Sequence, residues 1–299
     1  MTFPFLIASL LALQSQLRDP ALAARIPQLL YAVLATDDDK EKGAADAEAK
    51  QIFLRRGLPT IADVGDEAAY AFVVLTCSTG PADFQAKILL QAQQALSRHA
   101  LAPDAVLYCK ARVRQEQVKA RVRRHPPTHP ALRDEIRQLL TTDQAVRLAK
   151  DFDAAKMQLV DREHEAPLKV IFERYGVPTY AMVGVEAASS FVIMIQHQSP
   201  EFRRRVLPKL NANVQAGQAD SSDYAMMYDR SSRDAGRKQL YGENLECNNE
   251  NPTLHEAPIE DEEHVNVRRA QVGLIRVELY ARMAIELSPV VCPAAAIVK

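Results

Sequence analysis

A 23-residue stretch occurs twice in this chain: Tyr175 to His197, YGVPTYAMVGVEAASSFVIMIQH, is preceded by an altered version at Arg56 to Ser78, RGLPTIADVGDEAAYAFVVLTCS. Both read G-x-P-T, then V-G, then E-A-A, then an apolar run. Gly57 and Gly176 lie 119 positions apart, as do Val64 and Val183, Glu67 and Glu186, and Phe72 and Phe191. Upstream, Pro20-Ala21-Leu22 and Gln28-Leu29-Leu30 recur as Pro130-Ala131-Leu132 and Gln138-Leu139-Leu140, 110 positions on. Downstream, Leu107-Tyr108-Cys109-Lys110 stands opposite Met227-Tyr228-Asp229-Arg230, offset by 120. A self-match at this period is far longer than a solenoid unit and implies a duplicated domain.

The shared letters have backbone reasons. A helix ending on Tyr175 needs a residue tolerant of positive φ just past its end, which Gly176 supplies, and Pro178 then stops the helix from resuming. From Gly184 onward Ala187, Ala188, Phe191, Val192 and Ile195 recur at three- and four-residue spacing, so they form one buried helical stripe with His197 at its last turn. At 299 residues the chain is near the size at which one core divides into two. Glycine is scarce, at 10 residues, and no strand-like alternation is sustained. The expected fold is therefore mainly α, with two tandem, homologous helical domains. Residues 1–110 form the eroded first copy, 111–130 a basic linker ended by prolines, 131–285 the fuller second copy, and 286–299 a tail.

Along the first copy the pattern predicts a helix from Pro20 to Ala35, an acidic loop through Asp37, Asp38, Asp39 and Gly43, a helix up to Gly57, and another from Pro81 towards His99. In the second copy Ser199 is expected to cap a helix starting at Pro200 and closed by Gly217, with Pro208 as a kink. Ser221 or Ser222 should cap the next, and a last long helix should start at Pro258 and carry Glu260 to Glu263 in its first turns.

A net charge of -1 gives no global attraction to nucleic acid or membrane. Lys110 to Arg124 has seven basic residues against Glu116 alone, but without interleaved aromatics it reads as a solvated helix, and nucleic acid is a disfavoured partner. Cys77, Cys109, Cys247 and Cys292 form no C-x-x-C pair and read as isolated reduced thiols, which points to the cytoplasm. The apolar run Phe3 to Leu13 is too short to span a bilayer. It reads as a packed N-terminal helix, the alternative being export on an atypical signal peptide.

The copies differ in their polar groups. Where the second has His197 and Asp229-Arg230, the first has Ser78 and Cys109-Lys110; Asp143, Gln144 and Arg147 face Val33, Leu34 and Asp37. The first copy also lacks counterparts of Gln239-Leu240-Tyr241-Gly242 and of Arg268-Arg269. A site, if present, belongs to the second copy.

These residues carry a resemblance. From Leu132 to Tyr280 the chain resembles an uncharacterised bacterial family of unknown function, through Asp143-Gln144 with Arg147, the Tyr175 to Gly184 stretch, Gln196-His197, Asp229-Arg230, Gln239 to Gly242, Pro258 to Asp261, and Arg268-Arg269 before Gly273-Leu274. The resemblance implies a helical domain and no particular activity. Asn244 departs from the Thr-Gln more often found after the Tyr-Gly pair.

As a catalytic set, His197 would serve as base or nucleophile, with Asp161 or Asp229 orienting it and Arg230, Arg268 and Arg269 stabilising an anion. As a ligand-binding set, Asp143, Gln144, Arg147, Asp161, His164, Gln239, Tyr241, Arg268 and Arg269 would surround a small anionic ligand. A metal reading would use Asp161, His164, His197 and Asp229, but no ligand spacing supports it, and neither metal nor cofactor is expected. No G-x-S-x-G or phosphate-cradling glycine loop occurs. The favoured expectation is a binding or interaction protein, a neutralising or adaptor protein with a protein partner or a small anion; the alternative is a hydrolase-like enzyme.

Overall fold

The computed structural model describes residues 17–36, 38–149, 151, 153–247 and 254–287. The run Phe3 to Leu13, Asp37, Cys292 and the tail beyond residue 287 lie outside them. The fold is mainly α. Among the described residues no helix is long and apolar enough to cross a membrane.

The chain divides into two compact units, one of residues 17–114 with 266–287, the other of residues 115–247 with 254–265. This differs from the expected boundary, because residues 266–285 belong to the first unit.

In the first unit, α1 (Pro20–Leu34), α2 (Asp39–Arg56), the single turn α3 (Ile61–Val64), α4 (Asp66–Ser78), α5 (Ala82–Ser97) and the start of α6 (Pro103–Val122) follow in order. Asp19 caps α1 by accepting the Leu22 N–H at 2.9 Å. The acidic loop expected around Gly43 is instead the first turns of α2. Asp38 caps it, and Asp39 and Glu41 lie where the helix dipole favours carboxylates. At the centre is α4, buried without interruption from Ala68 to Cys77. A helix apolar on every side must be surrounded.

The second unit has the same order: α7 (Pro130–Arg147), α8 (Ala154–Tyr175), the turn α9 (Tyr180–Val183), α10 (Val185–Ile195), α11 (Pro200–Gln215) and α12 (Ser221–Asp234). Its core gathers Ile136, Leu168, Phe172 and Val206 around Phe191 and Ile195 of α10. Fully burying each such side chain contributes roughly 1.5–3 kcal/mol.

Individual contacts recur as well. Asp19 N–H donates to the Asp63 carbonyl at 2.9 Å, and His129 N–H to that of Met182 at 2.8 Å. Ile61 N–H bonds Ala100 O, and Tyr180 N–H bonds Gln218 O, both at 3.0 Å. The edge-to-face pair Phe53–Phe84, with centroids 5.3 Å apart, has its counterpart in Phe172–Phe202 at 5.6 Å.

Several helix ends differ from expectation. Asp220, not Ser221 or Ser222, caps α12 by accepting the Ser222 N–H. The Ser199 hydroxyl donates to Glu165 at 2.8 Å instead of capping α11. No long helix starts at Pro258. After the hairpin of β1 (Leu245–Cys247) and β2 (Leu254–Glu256), Ile259 bridges to Gln239, a 3-10 turn covers Glu262–His264, and two shorter helices follow, α13 (Val265–Gln271) and α14 (Val277–Leu287). A positive φ at Gly273 separates them.

The isolated-thiol expectation is overturned. Cys77 and Cys109, both fully buried, form a disulfide between α4 and α6 with Cα atoms 5.3 Å apart, and Cys247 is disulfide-bonded too. Their separation of 32 residues gave the pairing no sequence signature.

Gly176 has φ 72 and ψ -147, and Gly57 has φ 76 and ψ -160, in a region open only to glycine. A Cβ at Gly176 would meet nothing within 4 Å, so the backbone alone excludes other residues. Gly43 lies inside α2 and is equally unobstructed. We expect Gly176→Ala to lose about 1–3 kcal/mol in urea denaturation, and Gly43→Ala to gain about 0.5–1 kcal/mol.

Candidate functional site

The central helix of the second unit ends at Ile195, with Gln196 as its C-cap and His197 in the turn just past it. Around that end opens a cleft of about 570 Å³. The cations lining it are Arg147 of α7, Arg203 of α11, and Arg230 and Arg233 of α12; the carboxylates are Asp161 and Asp234. His197, Gln196, Met157 and Asn244 complete the wall. Four of the predicted residues, His197, Arg230, Arg147 and Asp161, are thus brought together.

Arg147 is held from below. Asp143, almost wholly buried, accepts from its Nε at 3.1 Å and from its Nη2 at 3.1 Å, and Gln144 Nε2 donates to the same carboxylate at 2.9 Å. Asp161 accepts from Arg147 as well. Burial raises the Asp161 pKa, and Asp143 adds to this, although Arg147 opposes both. Arg203 donates through Nε to Asp234 at 3.1 Å and through Nη1 to the carbonyls of Gln196, at 3.1 Å, and Gln198.

Arg230 and Arg233 differ from these. Arg230 donates from Nη1 to the Gln196 carbonyl at 3.1 Å, and among the described residues neither arginine forms an ion pair with a carboxylate. Loss of hydration and then repulsion from Arg203 lower the pKa of Arg230. The same two forces act on His197, with desolvation first and Arg147 next, and push it down to about 4. Its imidazole is neutral at pH 7, and among the described residues no hydrogen-bond partner meets its ring.

The other predicted residues serve elsewhere. Asp229 is fully buried and faces away from the cleft. Its carboxylate accepts the backbone N–H groups of Leu240 at 2.7 Å, Tyr241 at 3.1 Å and Glu243 at 3.0 Å. Gln239, also fully buried, donates to the carbonyls of Asn244 at 3.0 Å and Ala257 at 2.6 Å and accepts the Asn244 N–H at 2.9 Å. The turn therefore closes with Asn244 in place. Tyr241 packs edge-on against Tyr228. His164, on α8, is buried, its Nδ1 without a partner among the described residues. Arg268 and Arg269 belong to the first unit, where Arg269 is fully buried, bonds the Ile275 carbonyl and stacks over Tyr280. Among the described residues no three His, Cys, Asp or Glu side chains are placed to hold a metal ion.

The family model for a family of unknown function (DUF6624) matches residues 130–288, just over half of the chain. The chain belongs to that family. No curated protein and no solved structure matches it. The match takes in the whole cleft of the DUF6624 domain, and also α13 and α14, which pack with the first unit.

Sequence reading missed Arg203, Arg233 and Asp234. The signal was there: Arg230, Arg233 and Asp234 fall three or four positions apart, on one face of a single helix. Arg203 lies in a run of three arginines that reads as a solvated face.

The His197 shift makes a prediction about acid stability. The folded state resists protonation down to about 4, whereas the unfolded chain takes up the proton near the ordinary 6.5, so stability is lost as pH falls across that window. We expect the drop in Tm between pH 7 and pH 5 to be smaller in His197→Leu than in the unsubstituted protein. In an NMR titration the His197 ring should reach its midpoint near 4.

Proposed function

We propose that the DUF6624 domain is a binding module whose cleft receives a small anionic ligand. The observation that carries this reading is the pair Arg230 and Arg233, which lie beside Arg147 and Arg203 without carboxylates of their own. Cations in a concave wall attract an anion and supply planar arrays of donors suited to carboxylate or phosphate oxygens. A protein partner would use the same chemistry by presenting an acidic side chain or a C-terminal carboxylate to the cleft.

The hydrolase reading has less support. Asp229 is committed to the Leu240–Glu243 turn and Asp161 to Arg147, so neither carboxylate orients His197. A base near 4 is far from the neutral pH at which general-base catalysis works best.

We also infer that the two six-helix runs, α1–α6 and α7–α12, are copies of one ancestor, with the first kept as framework. Supporting this are the shared helix order and paired backbone bonds whose members lie 110, 118 or 119 positions apart, within one position of the offsets of the sequence matches. The disulfide occupies the positions of Gln196 and Asp229 in that alignment. Disulfides also favour export into an oxidising compartment over the cytoplasm.

Two measurements test these proposals. In calorimetry with inorganic phosphate, pyrophosphate and citrate, at least one anion should bind saturably and more weakly at high salt. Corrected for the anion's own proton uptake, its affinity should rise as pH falls from 7 to 5, because a bound anion favours protonated His197. Arg230→Ala with Arg233→Ala should abolish binding; unchanged affinity in that double variant would sink the reading. For the compartment, protein from its native source, alkylated in denaturant without reductant, should leave Cys77 and Cys109 unlabelled, and labelled sulfurs would contradict export.

A further inference from the structure

The first unit contains a larger cavity, of about 770 Å³, that no part of the anion-cleft reading uses. Its inner wall is apolar: Leu30 and Tyr31 of α1 and Ala71 of α4 face Leu279 and Met283 of α14. The amphipathic helix α14 is tied over the other elements by ion pairs. Arg276, just ahead of it, donates to Asp66 and Asp104, both at 2.6 Å, and lies 4.1 Å over the Tyr70 ring. Arg282 bonds Glu67 at 2.7 Å.

These pairs neutralise both of the cavity's guanidiniums and leave acid in excess. Besides Asp66, Glu67 and Asp104, the lining includes Glu278 and Glu286. Glu278 accepts from the Asn266 amide at 3.0 Å, and among the described residues neither glutamate has a cationic partner. Tyr31 lines the same space and is 41% exposed, so it offers an aromatic face beside those carboxylates. An apolar chamber with surplus negative charge and an accessible ring has the chemistry that recognises an ammonium group on a hydrophobic body.

We propose that this cavity is a binding site for an amphipathic cation, a ligand with an apolar chain or ring system and an amine or quaternary ammonium head. The apolar body lies between α1, α4 and α14. The head is held by Glu278 and Glu286 at the rim, with Tyr31 beside it. The anion cleft and this cavity make opposite charge demands, so their ligands differ.

The probe is decyltrimethylammonium below its micelle concentration, with decyl sulfate as the control, titrated by calorimetry into the full chain carrying Arg230→Ala and Arg233→Ala, so that sulfate taken up by the anion cleft does not count for or against the cavity. The cation should bind saturably at one site, and the sulfate weakly or not at all. Glu278→Gln with Glu286→Gln should weaken the cation by about tenfold, equivalent to about 1.4 kcal/mol. Leu279→Trp should fill the chamber and abolish binding. The chain has no other tryptophan, so a blue-shifted emission reports that the indole is in an apolar space. The proposal is overturned if the cation does not bind saturably, if the sulfate binds as tightly, or if a folded Leu279→Trp protein binds the cation unchanged or emits like indole in water.

Discussion

A buried helix cannot end in the interior without something to meet its last carbonyl groups, and the second unit is arranged around that requirement. Eight of the eleven residues of α10 are buried, so its C-terminal end comes out among packed neighbours and not in open water. The carbonyls beyond it, of Gln196 and Gln198, accept from the guanidiniums of Arg203 and Arg230. Arginine suits this task because it remains charged when partly desolvated, and a cation at a helix C-terminus is favoured by the helix dipole. Drawing two arginines to one point also creates a positive field, which Asp234 offsets for Arg203. The cleft's charge is therefore partly a by-product of closing the central helix.

The first unit meets the same requirement with hydroxyls. Near the end of α4 the hydroxyls of Thr76 and Thr79 donate back to the carbonyls of Phe72 and Leu75 at 2.7 and 2.9 Å. Ser78 shares a hydrogen bond of 2.7 Å with the Tyr108 hydroxyl, and the disulfide links Cys77 to Cys109. Local hydroxyls and a covalent bond fix the helix end there. The difference in polar residues follows from two ways of finishing a buried central helix.

How far the sequence reveals this depends on the range of each interaction. The central helices, their glycine boundaries and the proline-started α1, α7 and α11 were readable because periodicity, positive φ and capping act within a few residues. Gly43 was misread since a single glycine in an acidic stretch also fits a loop, and only the Asp38 cap and tertiary packing make it helical. Pairs distant in sequence left no trace: Cys77 with Cys109, Asp229 with the Leu240–Glu243 amides, and Arg276 with Asp66. Asp229 reads as a carboxylate that could orient His197 because the first copy has Cys109 in its place and nothing local shows which groups it reaches. Successive residues on a helix face different ways, and the aspartate turned inward to hold a loop while Arg230 turned outward to the cleft.

The order of events at His197 follows from the same field. Incomplete hydration and the guanidiniums of Arg147, Arg230 and Arg203 make the imidazolium costly, with Asp143 only partly offsetting them, and proton uptake is deferred to about pH 4. An anion seated against Arg230 and Arg233 would cancel part of that repulsion and return the pKa towards the ordinary value. The imidazole therefore gains useful basicity only after the anion has arrived, since linkage makes each event favour the other. Any proton transfer in this cleft would depend on prior anion binding, whereas anion binding needs no proton transfer. In the proposed anion-binding reading, the arginines, and not the histidine, are therefore the groups on which binding first rests.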